Sequence, residues 1–244
     1  THYEYIARYV DDILVFSKNP KVIMNELQKT YPLQGVGTPE YYLGGDFSTH
    51  KREDGVEVLS FGATTYISNV CKKIEMLMGV TLKGYETPMA TDDHSEMDDS
   101  DLLNSDDHSK FRMLIGSAQW AIILGRLDIM YAVQTLARYS HAPKQGHLTR
   151  ILRVFGYLKA YAKYGITYDE RPHHTPEHHV NHEKWEEKYP GAYEELPDNM
   201  PTPKGNPAHI TCYVDADHAR DMLTRRSVTG ILLFVNDTPI KWYS

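Results

Sequence analysis

Residues 3–16, Tyr3-Glu4-Tyr5-Ile6-Ala7-Arg8-Tyr9-Val10-Asp11-Asp12-Ile13-Leu14-Val15-Phe16, decide how the chain is read. Tyr3–Arg8 and Ile13–Phe16 have the apolar, aromatic-rich content of two short strands. Tyr9-Val10-Asp11-Asp12 between them reads as a hairpin tip carrying two acids. Adjacent carboxylates between apolar strands are costly, because like charges a few ångströms apart resist joint ionisation. A divalent cation removes that cost. Magnesium takes hard oxygen ligands, usually one or two protein carboxylates completed by water and substrate phosphates. A plain Asp-rich turn has the same composition, so the tetrapeptide alone leaves both readings open.

Working outward, Val22, Ile23, Leu27 and Tyr31 follow helical spacing after Asn19-Pro20. Glu40–Ser48 and Val56–Phe61 bracket Lys51-Arg52-Glu53-Asp54-Gly55 as a second hairpin. A helix is predicted over Thr64–Met78, then three more over 109–124, 128–140 and 145–163. In the last, Leu148, Ile151, Leu152, Phe155, Leu158 and Ala162 form one apolar stripe, with Arg150, Arg153, Lys159 and Lys163 mainly off it. Ile210–Asp215, Gly230–Val235 and Ile240–Tyr243 read as three successive strands.

The 244 residues carry a net charge of −7, and that total hides a segregation. Residues 109–168 hold nine Lys/Arg and one acid, a local charge of +8 set in a remainder of −15. Such a block suggests a polyanionic partner, although a solvated helix surface with acids elsewhere has the same signature. Residues 91–108, with eight Asp/Glu, read as a solvated loop. Residues 169–208, with seven of the 13 prolines, nine acids and five histidines, read as a linker with a turn of helix near Glu183–Glu187. Its His174, His178 and His182 are spaced for a metal, but Pro176 opposes the helix that would align them. Two cysteines 141 residues apart exclude a disulfide scaffold and read as core thiols. No apolar run is long enough to span a bilayer, and Thr1-His2-Tyr3-Glu4 lacks the basic-then-apolar pattern expected of a signal peptide.

Several segments together resemble one family. Tyr9-Val10-Asp11-Asp12 with Ile13–Phe16 resembles the active-site hairpin of reverse transcriptases, and segments downstream are similar, in order, to the polymerase of copia-type LTR retrotransposons. Tyr41-Tyr42-Leu43-Gly44-Gly45 resembles its primer-gripping hairpin, and Thr87-Pro88-Met89 a segment after its thumb-like helix. Phe111–Ser117, Asp128–Val133 and His147–Lys159 are similar to three later motifs. Tyr213-Val214-Asp215-Ala216-Asp217 with Arg225–Gly230 resembles the opening of the attached ribonuclease H domain. The pattern departs at Leu127, His218 and Arg220.

The resemblance implies an α+β fold in four parts. These are the rear of a polymerase palm (1–48), a mainly helical thumb and connection with the acidic loop (49–168), a linker (169–208), and the first strands of a ribonuclease H-like domain (209–244). It implies catalytic and metal-binding roles for Asp11, Asp12 and Asp215, with Asp217 a secondary ligand. Nucleic-acid contacts would fall to Tyr9, Tyr42, Leu43, Gly44, Arg150, Arg153 and Lys159. The cofactor would be magnesium or manganese, and the partners a primer–template duplex or RNA–DNA hybrid together with the remaining polyprotein segments. The setting would be intracellular, in a cytoplasmic particle or the nucleus. Two-metal phosphoryl transfer needs bridging carboxylates that one hairpin does not supply. The chain alone is therefore expected to be inactive and weakly liganded by magnesium, and an open sheet edge at residues 1–8 is expected to make it poorly soluble. A non-catalytic nucleic-acid-binding remnant and a domesticated structural protein are the alternatives.

Overall fold

The computed structural model describes residues 2–174, 185–191, 195 and 197–244. The fold is α+β, with three antiparallel sheets around one helical body. β1 (Tyr5–Tyr9) and β2 (Asp12–Phe16) form a two-stranded ribbon, followed by α1 (Pro20–Gln28). β3 (Tyr41–Tyr42), β4 (Gly45–Lys51), β5 (Glu57–Gly62) and β6 (Gly165–Thr167) form the second sheet. Between β5 and β6 run α2 (Thr64–Met78), α3 (Ser105–Ile123), α4 (Met130–Ala137) and α5 (Gln145–Ala160). A short helical turn, α6 (Trp185–Lys188), precedes the third sheet of β7 (Ile210–Ala216), β8 (Thr229–Val235) and β9 (Thr238–Tyr243).

The helices form where the apolar spacing places them. Ile67, Cys71 and Ile74 are the buried face of α2, which ends at Gly79 in the left-handed conformation. Asn104 caps α3 by accepting the Asp107 amide, and Asp106 and Asp107 lie in its positive first turn. Phe111, Leu114, Ile115, Ala118, Ala121 and Ile122 face the core. On α5 the buried set is Leu148, Ile151, Val154, Phe155, Tyr157 and Leu158, while Leu152 is only half-buried. Gly156 has no room for a side chain, because a Cβ would run into the Lys83 carbonyl. Every residue of the buried core cluster lies between Ala63 and Leu158, and Trp242 of β9 packs against it.

Several expectations change. The stretch 91–108 is not a solvated loop: Ser95 is buried, and Asp93 and Asp98 are nearly so, because they neutralise Arg150 on α5. The strand expected to end at Ser48 runs on to Lys51 as β4. The strand β6 has no counterpart in the sequence reading; three residues after α5 return to pair with β5 in the register Ser60↔Thr167, Phe61↔Ile166 and Gly62↔Gly165. The last helix ends at Ala160, not 163. Cys71 is a core thiol raised to about 11 by burial, but Cys212 is exposed, with nothing among the described residues covering it. The expected histidine group lies partly outside the described residues, as His178, His179 and His182 are not described, nor are residues 183–184 of the expected helical turn.

The third sheet is joined to the body through Asp169. Arg52 and Arg171 each place a guanidinium nitrogen 2.6 Å from its carboxylate. Its amide donates to Thr238 Oγ1 at 2.8 Å, and its carbonyl accepts the Asp237 amide at 3.3 Å. His173 adds Asp237 at 2.5 Å, the Tyr213 hydroxyl at 2.9 Å and a ring stacked on Phe234. The hydrogen bond from Arg171 is the main reason that Asp169 is held at about 2. No helix among the described residues is long and apolar enough to cross a membrane.

Candidate functional site

The β1–β2 register runs from Tyr5↔Phe16 to Tyr9↔Asp12, so Val10 and Asp11 alone make the turn. Val10 has φ +55°, a conformation a β-branched residue adopts at a cost of about 1–3 kcal/mol. The tight turn puts Asp11 at the tip and Asp12 beside it, opposite Tyr9. All three are exposed, and no residue of either strand is buried. Among the described residues no group of three His, Cys, Asp or Glu side chains is gathered to hold a metal. Asp11 and Asp12 offer the hard oxygens magnesium prefers, and two carboxylates fit a site that substrate phosphates complete.

The β3–β4 turn is built alike but seated differently. Tyr42 pairs with Gly45, leaving Leu43 (φ +50°) and Gly44 (φ +92°) between them, the two positive values a type I′ turn requires. A Cβ on Gly44 would lie 3.4 Å from the Trp120 indole nitrogen, and one on Gly45 would overlap the Phe61 ring. The Thr65 amide donates to Asp46 Oδ2 at 2.8 Å, tying the strand to the start of α2. Tyr42, Leu43 and Gly44 are therefore held against the helical body, whereas Tyr9, Asp11 and Asp12 are exposed on a two-stranded ribbon that buries none of its residues.

Arg150, Arg153 and Lys159 share α5, and each has an intramolecular partner. The Arg150 Nε donates to Asp93 at 2.9 Å and its Nη1 to Asp98. Burial pushes the Asp98 carboxyl up, but hydrogen bonds from Ser100 and Arg150 outweigh it and leave it below the usual carboxylate range. Arg153 reaches Thr87 Oγ1 at 3.0 Å and lies over the Tyr85 ring. Lys159 meets Glu75 at 2.7 Å. His147 and Lys144 extend the clasp, binding the carbonyls of Ser95 at 3.0 Å and Asp98 at 2.5 Å. Burial lowers the pKa of His147. The acid-rich composition of 91–108 is visible in sequence; that its third to eighth residues clamp onto a helix some 50 positions later is not.

On β7, Asp215 is exposed and lies opposite Gly230. Asp217 lies past the strand end, where its carboxylate accepts the Val228 amide at 2.5 Å. The two acids thus differ in duty, one open and one closing a turn. Sequence reading overlooks Asp221, whose side chain accepts the Thr224 and Leu223 amides and pairs with Arg138 just past the end of α4. The Thr224 hydrogen bond is the main cause of its depression to about 2.

Comparison with known proteins adds an independent line. The chain is 26% identical over 243 residues, 98% of its length, to the retrovirus-related Pol polyprotein from transposon RE1 of Arabidopsis thaliana. It is 29% identical over 157 residues, 63% of its length, to a putative transposon Ty5-1 protein of Saccharomyces cerevisiae. Its homologues are Pol polyproteins and a Ty5 protein of copia-type retrotransposons, at 24–29% identity. It spans 14% of the RE1 polyprotein and 48% of the Ty5-1 protein. An uncharacterized mitochondrial protein of A. thaliana is 24% identical over 241 residues, with 81% of that relative covered. No family model matches this Pol homologue, and no solved structure does.

Proposed function

We propose that this chain is a section of an RNA-directed DNA polymerase with attached ribonuclease H, acting on RNA–DNA hybrids and primer–template duplexes during retrotransposon replication. The observation that carries the reading is the Tyr9↔Asp12 register, which turns the chain in two residues and presents Asp11 and Asp12 together. Magnesium or manganese would supply the positive charge that stabilises a transferring phosphoryl group. Asp11 would ligate it directly and Asp12 would support it, with Tyr9 beside them. Tyr42, Leu43 and Gly44 would steady the primer strand from a turn that the Trp120 and Phe61 contacts keep rigid. Asp215, open on β7, is the first acid of a ribonuclease H-like sheet, and Asp217 shapes the turn behind it. One hairpin does not bridge two metals, so the chain alone would bind nucleic acid without extending a primer.

The test is fluorescence anisotropy of a labelled RNA–DNA hybrid against salt. Four to six phosphate contacts give a slope of log K against log salt of about −4 to −5, indifferent to sequence. Contact by Arg150, Arg153 and Lys159 requires each to exchange its present partner for a phosphate oxygen. Replacing all three by Gln then flattens the slope by about two to three units. An unchanged slope assigns the contacts elsewhere, and no affinity for the hybrid at low salt sinks the reading. Calorimetric titration should show millimolar magnesium binding that Asp11→Asn abolishes. A chain that grips the hybrid with no such binding is the non-catalytic remnant.

A further inference from the structure

The three cations of α5 differ in what answers their charge. Arg150 has two carboxylates and Lys159 has Glu75, but Arg153 has no acid within ion-pair distance among the described residues. Its Nη2 donates to Thr87 Oγ1 at 3.0 Å and reaches the Met89 carbonyl at 3.5 Å, while its Nε is buried without an acceptor. A guanidinium has five N–H groups. A half-buried one that meets only neutral acceptors is under-satisfied. The Tyr85 ring, 4.3 Å from the guanidinium carbon, has Lys83 Nζ 5.7 Å from its centre, so the neighbourhood adds positive charge rather than negative.

Thr87 is exposed, and Pro88 follows it. Residues 79–94 form no helix or strand, and from 83 to 93 the backbone makes no hydrogen bond to other backbone among the described residues. Such a segment can leave its place without breaking a ladder. Pro88 has no N–H, and its ring disfavours helical backbone at Thr87. That suits an enzyme cleft that takes an extended chain and offers no acceptor just after the hydroxyl. The sequence has four other Thr-Pro steps, at Thr38, Thr175, Thr202 and Thr238. Thr175 lies outside the described residues, Thr238 is buried, and neither Thr38 nor Thr202 has a guanidinium on its hydroxyl among the described residues.

We propose that Thr87 is a phosphorylation site for a proline-directed protein kinase, and that Arg153 receives the phosphate. The kinase moves the terminal phosphoryl group of a nucleoside triphosphate onto Thr87 Oγ1. The Oγ1–P bond forms as the bond to the nucleoside diphosphate breaks, and the hydroxyl proton passes to the kinase's base. The Met89 carbonyl loses the hydrogen bond that it now accepts from Thr87 at 2.6 Å. In exchange, a group of about −1.5 to −2 charge stands where Arg153 now meets a neutral hydroxyl. Arg153 is thereby closed to other phosphates. That consequence rests on the contact proposed for Arg153 above, whereas the modification does not.

The experiment is incubation of the full chain with a purified mitogen-activated protein kinase and ATP, then mapping by mass spectrometry and phosphorus NMR titration of the product. Phosphate is expected on Thr87 and absent from that position in Thr87→Ala. A guanidinium favours the dianion, so the second pKa of the phosphate on Thr87 should fall about one unit below its ordinary value of about 6. Arg153→Gln should restore the ordinary value and Arg153→Lys only part of it, and unaltered melting of each variant shows that the fold is kept. No phosphate on Thr87, whatever other threonines are labelled, overturns the site. The same titration in Arg153→Gln as in the unaltered chain overturns the role of Arg153. Neither measurement uses nucleic acid or magnesium binding at Asp11, so this proposal and the proposed function fail separately.

Discussion

The helical body and the β1–β2 ribbon are opposites in how they are held. The body buries Phe111, Phe155, Ile67, Leu114, Ile151 and Leu158 almost completely. The ribbon buries none of its ten strand residues, and Tyr5, Ile6, Tyr9 and Phe16 are all about half exposed or more. Yet the two acids that read most clearly as chemistry are on the ribbon. Stability and candidate chemistry are thus carried by different parts of the chain. A two-stranded ribbon is marginal without a layer to pack on, so the acids are presented by a piece that contributes little to the fold.

The sharpest way to break that contrast is to cut one aromatic from each region. Phe155→Ala should cost about 3–5 kcal/mol in urea unfolding, because it empties a fully buried site. Phe16→Ala should stay within about 0.5 kcal/mol. Similar losses would mean that the ribbon is part of the cooperative core.

A smaller effect is expected at the joint to the third sheet. Asp169→Asn should cost about 2 kcal/mol by weakening the clasp of Arg52 and Arg171 on a nearly buried carboxylate. Acid titration checks the same joint. The folded pKa of Asp169 is about 2, below its ordinary 3.8, because of Arg171 first, as is that of Asp221 through the Thr224 hydrogen bond. Folding therefore favours the ionised forms. Their contribution is complete above the ordinary carboxylate range and is lost as pH falls from about 4 towards 2. Asp169→Asn should flatten the loss in that window, and an unchanged acid limb would show that the joint does not contribute to global stability.

The smallest effect should come from the surface of the body. Lys159→Gln breaks an exposed pair with Glu75 and should cost under about 1 kcal/mol in the same unfolding measurement. A loss approaching that of Phe155→Ala would mean that the ion pairs, not the packing, hold α5.

Local chemistry is legible in the chain and distant pairing is not. The spacing of Ile67, Cys71 and Ile74 marks out α2, and the Asp pair between strand-forming residues marks the turn of the ribbon. Both depend on neighbours within a few residues. The pairing of Ser60 with Thr167 spans 107 positions, and β6 is only three residues long, too short for an alternating pattern to register. Composition likewise marks 91–108 as acidic, but only the fold brings Asp93 and Asp98 against Arg150. Arg126 reads as one cation of a basic block; its burial arises from Asp128, Tyr161 and Tyr157, which meet only when α3, α4 and α5 pack.

The Asp169 joint has a topological consequence. The chain leaves the body at Asp169 and His173, both fastened to residues of the third sheet, and re-enters at His209. There the amide donates to Asn236 Oδ1 at 3.0 Å, and the carbonyl accepts the Asn236 amide at 2.7 Å. Asn236, Asp237 and Thr238 are consecutive, so departure and return are pinned to one short turn. The two ends of the intervening stretch are thus stapled together at that turn. Closing such a loop costs only about 0.6 kcal/mol more for each doubling of its length. A change in the length of chain between these two fastenings would therefore leave the turn that they share in place.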